Sequence, residues 1–210
     1  MNSPEPESPV SCGADMATRC DRFYGGRFAL LQPQGRGYRS GLDALLLAAT
    51  LPGRLADIGA GAGAVGLAAA CRNASIDVTL VENSPVMAGL ARRGLELPAN
   101  SGLARRLRLV EADILAGGTA LLSHGGRFAT IVRTDALPTL LAACDGRIGA
   151  LRLLAIHARA DAPAPRLLVL GRKGSRAPLS LLPARILHRP DGTLTEFATA
   201  VAEGTAALGC

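Results

Sequence analysis

The stretch Asp57-Ile58-Gly59-Ala60-Gly61-Ala62-Gly63 constrains the fold of this chain more than any other. A strand-like piece, Arg54–Ile58, runs into it, and an apolar helix-like run, Gly63–Asn73, leaves it. Glycines let the backbone turn tightly and approach a ligand, while a helix start offers free N–H groups. A strand, a glycine turn and a helix are therefore predicted here. The same rhythm continues downstream. Asp77–Glu82 is a β-branched run ending on an acid, Ser84-Pro85 opens a helix to about Leu97, and Leu107–Val110 is a third strand followed by Glu111-Ala112-Asp113. Strands alternating with helices predict an α/β, Rossmann-like, doubly wound and mostly parallel sheet.

The flanking segments are less regular. Residues 1–18 read as a disordered tail, with Pro4, Pro6 and Pro9 among Ser and Glu, and residues 19–210 as the Rossmann-like domain. From Phe23 to Tyr38 the chain reads as an irregular, hairpin-like lead-in. Ser40 is a candidate N-cap for a helix Ala44–Thr50 that Pro52-Gly53 stops. In the second half, Gly125-Gly126 leads into strand Phe128–Arg133 and helix Ala136–Cys144. Ala150–Ile156 and Arg166–Leu170 then form a C-terminal strand pair, antiparallel because the loop Ala158–Pro165 is too short to hold a crossover helix.

Composition narrows the class. With 49% hydrophobic residues the chain can build a core, yet no apolar run reaches the roughly 18 to 20 residues a bilayer demands. The acidic, Pro-rich opening is unlike a signal peptide. The five cysteines (Cys12, Cys20, Cys71, Cys144, Cys210) are scattered, with no C-x-x-C pair and no histidine at metal-ligand spacing. These features predict a cytoplasmic protein with reduced thiols, no metal and no membrane partner. Every Arg and Lys lies between Arg19 and Arg189, where 23 basic residues face 11 acidic ones, and all but Lys173 are arginine. That surface suits a polyanion such as tRNA or another RNA. An arginine-rich coding bias reads the same way, and at 3% aromatic the chain has few rings for stacking bases.

Two cofactors fit the glycine turn. Gly61-x-Gly63-x-x-Gly66 satisfies the dinucleotide fingerprint, which keeps an NAD-dependent oxidoreductase open. His124, His157 and His188 are isolated, so no pair for hydride chemistry stands out. S-adenosylmethionine is favoured by Asp57 two residues ahead of Gly59, where it can meet a cationic amino group, and by the alternating Gly59, Gly61 and Gly63. Glu82 can accept from a ribose diol and Asp113 from an adenine amino group.

The lead-in Phe23-Tyr24-Gly25-Gly26-Arg27-Phe28-Ala29-Leu30-Leu31-Gln32-Pro33, with Gly37-Tyr38-Arg39-Ser40-Gly41-Leu42-Asp43-Ala44, resembles that of bacterial S-adenosylmethionine-dependent small-domain methyltransferases. Within these it is most similar to the tRNA adenine-N6 methyltransferases that modify an adenine beside the anticodon of a valine tRNA. The likeness continues through Asp57–Gly63, Glu82, Asp113, Gly125–Arg133 and Arg172-Lys173-Gly174-Ser175-Arg176-Ala177-Pro178-Leu179, and spans most of residues 22–204. It implies that Asp57, Gly59, Gly61 and Gly63 hold the methionine end of the cofactor, Glu82 the ribose and Asp113 the adenine. It places Tyr38, Arg39 and Asp43 over the pocket, although Asp43 also reads as a first-turn helix acid.

That family's Asn-Pro-Pro-Phe or Asn-Pro-Pro-Tyr motif, whose amide orients the target amino group and whose ring stacks the flipped base, is not in this sequence. Asp113 runs through Ile114–Leu122 directly to Gly125-Gly126, the glycines that introduce the family's fifth strand. One central βα unit with its loop, on the order of 30 residues, is then expected to be lacking. Alternatively, Phe128–Val132 is the fourth strand and Arg133-Thr134-Asp135-Ala136 stands at the catalytic position. The function expected is methyl transfer to an adenine of tRNA. A non-catalytic module binding S-adenosylmethionine and RNA is the alternative.

Overall fold

The computed structural model describes residues 17–34, 40–50, 53–112 and 122–208, so Tyr38, Arg39 and Asp113 lie outside the described residues. The lead-in, expected to be irregular, is a regular antiparallel hairpin of β1 (Thr18–Phe23) and β2 (Phe28–Pro33), in register from Thr18 opposite Pro33 to Phe23 opposite Phe28. Three consecutive left-handed residues, Tyr24, Gly25 and Gly26, make its turn. Pairing thus begins at Thr18, inside the segment read as tail. Helix α1 (Leu42–Ala48) starts before Ala44, and its N-cap is Gly41 rather than Ser40. Ser40 instead donates its backbone N–H to Gln32 Oε1 at 2.8 Å, tying the helix start to β2.

The βα alternation then follows the sequence pattern. Strand β3 (Leu55–Ile58), helix α2 (Ala64–Arg72), strand β4 (Val78–Glu82), helices α3 (Pro85–Leu95) and α4 (Ser101–Ala104) and strand β5 (Leu107–Glu111) build a parallel sheet in the order β3-β4-β5. Helix α2 is rich in alanine, and the wholly buried Ala68 and Ala70 let it lie close on its neighbours. Arg106 caps its last turn by donating to the carbonyls of Ala70 at 2.9 Å and Asn73 at 2.8 Å. Ser84 N-caps α3, its hydroxyl accepting from Met87 N–H at 3.4 Å.

The second half forms a four-stranded sheet in the order β6-β8-β7-β9, from β6 (Arg127–Arg133), β7 (Ile148–His157), β8 (Arg166–Lys173) and β9 (Ser180–Ile186). Helix α5 (Leu137–Cys144) follows β6, and α6 (Glu196–Glu203) follows β9. The expected antiparallel strand pair is β7 with β8. It is flanked by β6, antiparallel to β8, and by β9, parallel to β7. Alternation along the strands buries both faces. Leu154, Ile156, Leu168 and Leu170 join the large core shared with α1, α2 and β4. Leu151, Leu153 and Val169 pack with Cys144 and the apolar side of α5.

Between the two sheets the ladder is broken. Among the described residues, β3 and β6 share no sheet, and both line a cavity of about 520 Å³ with Ala56, Ile58, Phe128 and Thr130 on its walls. Among the described residues, strand β6 pairs with β8 alone. The architecture is therefore Rossmann-like and mixed α/β, with no strand among the described residues joining β3 to β6. No helix among the described residues is long and apolar enough to cross a membrane.

A buried asparagine ties β2 to the end of α3. Asn100 has no exposed surface; its Oδ1 accepts from Ala29 N–H at 2.9 Å, and its Nδ2 donates to the carbonyls of Ala29 and Gly94, both at 2.7 Å. It pairs with β2 as a further strand would and anchors the end of α3 to it. Asn100→Ala strands an N–H and two carbonyls in the interior, and is expected to lower stability by about 3 kcal/mol, measured as a fall in the urea midpoint at unchanged slope.

Candidate functional site

Two acids from adjacent parallel strands hold the glycine turn. Asp57, near the end of β3, is 8% exposed, and its Oδ2 accepts the N–H of Gly66 at 3.1 Å in the first turn of α2. The N-cap of that helix, Gly63, has no side chain to do this and sits at φ +91°, so Asp57 caps the helix from the strand before it. Glu82, the last residue of β4, is 6% exposed. Its Oε2 accepts Gly61 N–H at 2.7 Å, while Oε1 accepts Ser84 N–H at 2.8 Å and Asn83 N–H at 3.1 Å. The N–H groups of Gly59 and Ala60 reach Val81 O at 2.8 and 3.0 Å and complete the clamp.

Gly59, Gly61 and Gly63 all adopt positive φ, which side chains disfavour. Gly66 is required for a different reason. A Cβ there would lie 2.3 Å from Leu80 Cδ2, and Leu80 is wholly buried and has nowhere to move. The helix thus approaches β4 at glycine distance, and that closeness delivers Gly66 N–H to Asp57.

The electrostatics of the turn are negative. Neither Asp57 nor Glu82 has an ion-pair partner among the described residues. Burial pushes the Asp57 carboxyl up to about 6; the Gly66 N–H opposes this and the nearby Glu82 charge adds to it. Two buried acids without a counter-ion favour a ligand that brings positive charge and hydroxyl donors. A pyrophosphate is disfavoured, because the helix-start N–H of Gly66 is already taken by a carboxylate.

The remaining sequence candidates are placed as follows. Asp43, in the first turn of α1, is half-buried and accepts from Arg166 Nε at 2.6 Å. Asp135 is exposed and bound by Arg133 at 2.8 Å, an ion pair on the surface. Among the described residues no cluster of His, Cys, Asp and Glu is built to hold a metal. Met87 was not a sequence candidate; its Cε lies 3.5 Å from where a Gly61 side chain would begin, so it walls the turn. Its place three residues after the N-cap Ser84 was the signal that could have found it.

A Rossmann-like fold with an acid-clamped glycine turn after its first parallel strand defines a nucleoside-cofactor-binding protein. No protein-family model matches the sequence, and no curated protein matches it. Solved structures do. The crystal structure of a predicted O-methyltransferase, protein Atu636 from Agrobacterium tumefaciens, is 34% identical at a TM-score of 0.75, covering 80% of this chain and 99% of its own. M. jannaschii TYW2 in complex with AdoMet shares the fold at 12% identity and a TM-score of 0.54, over 77% and 88% of the two chains. A putative transferase, PH0793 from Pyrococcus horikoshii, does so at 13% and 0.51, over 75% and 72%. The chain belongs to the S-adenosylmethionine-dependent methyltransferases, in the family of the Agrobacterium protein, and its cofactor is S-adenosylmethionine. The dinucleotide reading of Gly61-x-Gly63-x-x-Gly66 falls with that assignment.

Two substitutions probe the clamp. Gly66→Ala forces Leu80 aside and is expected to cost about 1–3 kcal/mol, read in thermal unfolding. Glu82→Gln turns an N–H donor toward backbone donors, so hydrogen exchange at Gly61, Asn83 or Ser84 is expected to accelerate while β3 and β4 stay protected.

Proposed function

We propose that this chain is an S-adenosylmethionine-dependent methyltransferase domain directed at the N6 of an adenine in tRNA. The observation that carries the cofactor half is the pair of buried acids, Asp57 and Glu82, around Gly59–Gly63 without a basic partner among the described residues. In this reading Asp57 faces the cationic amino group, Glu82 the ribose hydroxyls, and the backbone of Gly59, Gly61 and Gly63 the methionine end. The resemblance gives Asp113 the adenine amino group and assigns Tyr38 and Asp43 to the cofactor pocket. The acceptor half is supported by the lead-in, by the Lys173–Arg176 segment, and by the arginine-rich span from Arg19 to Arg189.

When bound, the cofactor supplies an electrophilic methyl group on a sulfonium. The chain's own residues orient it: Asp57 fixes one end by charge, Glu82 fixes the sugar, and Met87 offers an apolar wall beside the turn. An exocyclic adenine amine is a weak nucleophile, and its N–H groups need acceptors that turn the lone pair toward the methyl. The sequence holds no Asn-Pro-Pro-Phe or Asn-Pro-Pro-Tyr to supply them, and Asp135 is engaged by Arg133. The opening between β3 and β6 favours a second reading, a module that binds cofactor and RNA without turnover.

Methyl transfer from labelled cofactor to an unmodified tRNA transcript, followed by nucleoside analysis, separates these readings. N6-methyladenosine supports the first. Methyl on a sugar or other oxygen moves the acceptor to the class named for the Agrobacterium protein. Cofactor and tRNA binding without label leaves the module.

Asp57 gives the cofactor half its own test. Its ordinary value of 3.8 rises to about 6 in the fold, so the fold favours the protonated acid. The folded protein gains stability as pH falls from about 6 toward 4 and carries a cost of roughly 3 kcal/mol above pH 6. A cation is attracted only by the ionised form, so its affinity runs the other way. S-adenosylhomocysteine, which keeps the amino group, is expected to bind roughly tenfold tighter at pH 7 than at pH 5 by calorimetry. Asp57→Asn is expected to weaken binding at pH 7 and flatten this dependence. A wild-type affinity flat between pH 5 and 7 removes Asp57 from the cation contact.

A further inference from the structure

The edge of the second sheet where β6 begins and β8 ends carries an arrangement that folding alone does not favour. Arg127, the first residue of β6, stands directly opposite Arg172 of β8 in the antiparallel register. Like charges facing one another across strands are destabilising, and neither arginine has an ion-pair partner among the described residues. Both line a cavity of about 250 Å³, with Arg152 and Ser180 and without any acid. A neighbouring cavity of about 590 Å³ is lined by Arg147, Ser175 and Arg176, with Asp145 its one carboxylate. Arg147 and Arg176 are exposed and likewise have no acid partner among the described residues.

The backbone beneath these side chains is fixed at some cost. Ala150 sits at φ +50°, where a residue with a side chain is strained, and the β7–β8 register shifts between Gly149 and Arg152. That bulge receives the loop after β8: Ala150 N–H donates to Ala177 O at 2.9 Å and Gly174 N–H to Arg147 O at 2.8 Å. A side chain at Gly149 would begin 2.1 Å from Ser175 O, so the loop lies against bare backbone. The ring of His124 covers Gly174 from the other side. Strain and glycine contacts thus hold Ser175 and Arg176 beside Arg147, next to the Arg127–Arg172 pair.

We propose that this edge is a docking surface for the phosphodiester backbone of RNA, with Arg127, Arg172, Arg147 and Arg176 as the phosphate contacts. Guanidinium forks match phosphate oxygens, and a polyanion laid along the edge neutralises the facing arginines. Contacts of this kind position a substrate without reading its sequence. The inference rests on the RNA reading of the acceptor.

The test is fluorescence anisotropy of the full chain with a labelled, unmodified tRNA transcript from about 50 to 200 mM salt. Arg127→Gln with Arg172→Gln is expected to weaken binding at least tenfold and to reduce the salt slope by about 1.4 to 1.8, at 0.7 to 0.9 per lost phosphate. Affinity for S-adenosylhomocysteine stays unchanged, and the thermal midpoint holds or rises as the repulsion is relieved. Arg147→Gln with Arg176→Gln, away from the ladder pair, is expected to act in the same direction. Arg105→Gln with Arg108→Gln removes the same charge elsewhere and sets the baseline. If both edge variants bind tRNA no more weakly than that control, the surface is overturned while the RNA reading stands. A wild-type chain that binds no tRNA at any salt overturns both.

Discussion

The bond from Gly66 N–H to Asp57 is the contact on which the rest of the site depends. It joins the end of a strand to the start of a helix across a turn of glycines, and it exists because Gly66 lets α2 come within reach of β4. One buried carboxylate thereby satisfies a helix-start donor that no side chain at Gly63 can satisfy. Glu82 repeats the device from the next strand, taking three backbone N–H groups. The turn is rigid because acids bind it from behind. Its outward character is negative because those acids have no ion-pair partner among the described residues. Stability and ligand preference follow from the same two side chains.

The division of the sheet leaves that site intact because the core does not follow the ladder. Leu154, Ile156, Leu168 and Leu170 of the second sheet belong to the same apolar cluster as Leu67, Leu80 and Leu90 of the first half. Burial is non-directional and tolerates an opening between β3 and β6, whereas hydrogen-bonded pairing does not. At the far end Arg72 donates to Gly204 O at 2.5 Å and to Ala206 O, and ties the segment after α6 to α2. The glycine turn is thus held on both sides, while among the described residues no strand joins β3 to β6.

Local patterns made the first half legible. Asp57, Gly59, Gly61, Gly63 and Glu82 announce themselves because their chemistry and spacing are confined to strand–turn–helix units. Contacts that join distant segments were not legible: nothing around Asn100 marks it as a partner of Ala29, and Arg106 reads as surface charge until it reaches Ala70 and Asn73. Strand β9 was hidden by Pro183, which argues against a strand interior. It is tolerated at an edge paired only to β7, where the register shifts beside it. Helix α6 carried its signals in full, with Thr195 capping Ala198 N–H at 3.2 Å and Gly204 left-handed at its end, but its small residues blur the apolar stripe.

In the proposed reading, where Glu82 holds the ribose, the bonds it already makes set a condition on that contact. A carboxylate has about four lone-pair sites. Oε1 already accepts from Asn83 and Ser84, and Oε2 accepts from Gly61, which leaves one site facing the turn. In the proposed reading a ribose presents two hydroxyls there. The remaining lone pair has room for one of them, and holding both on Glu82 requires the Gly61 N–H bond to Oε2 to yield. Gly61 is left-handed at φ +56° and bound to Glu82 alone of the strand residues, and a Cβ there would meet Met87 Cε at 3.5 Å, whereas Gly59 and Ala60 are both bound to Val81 O.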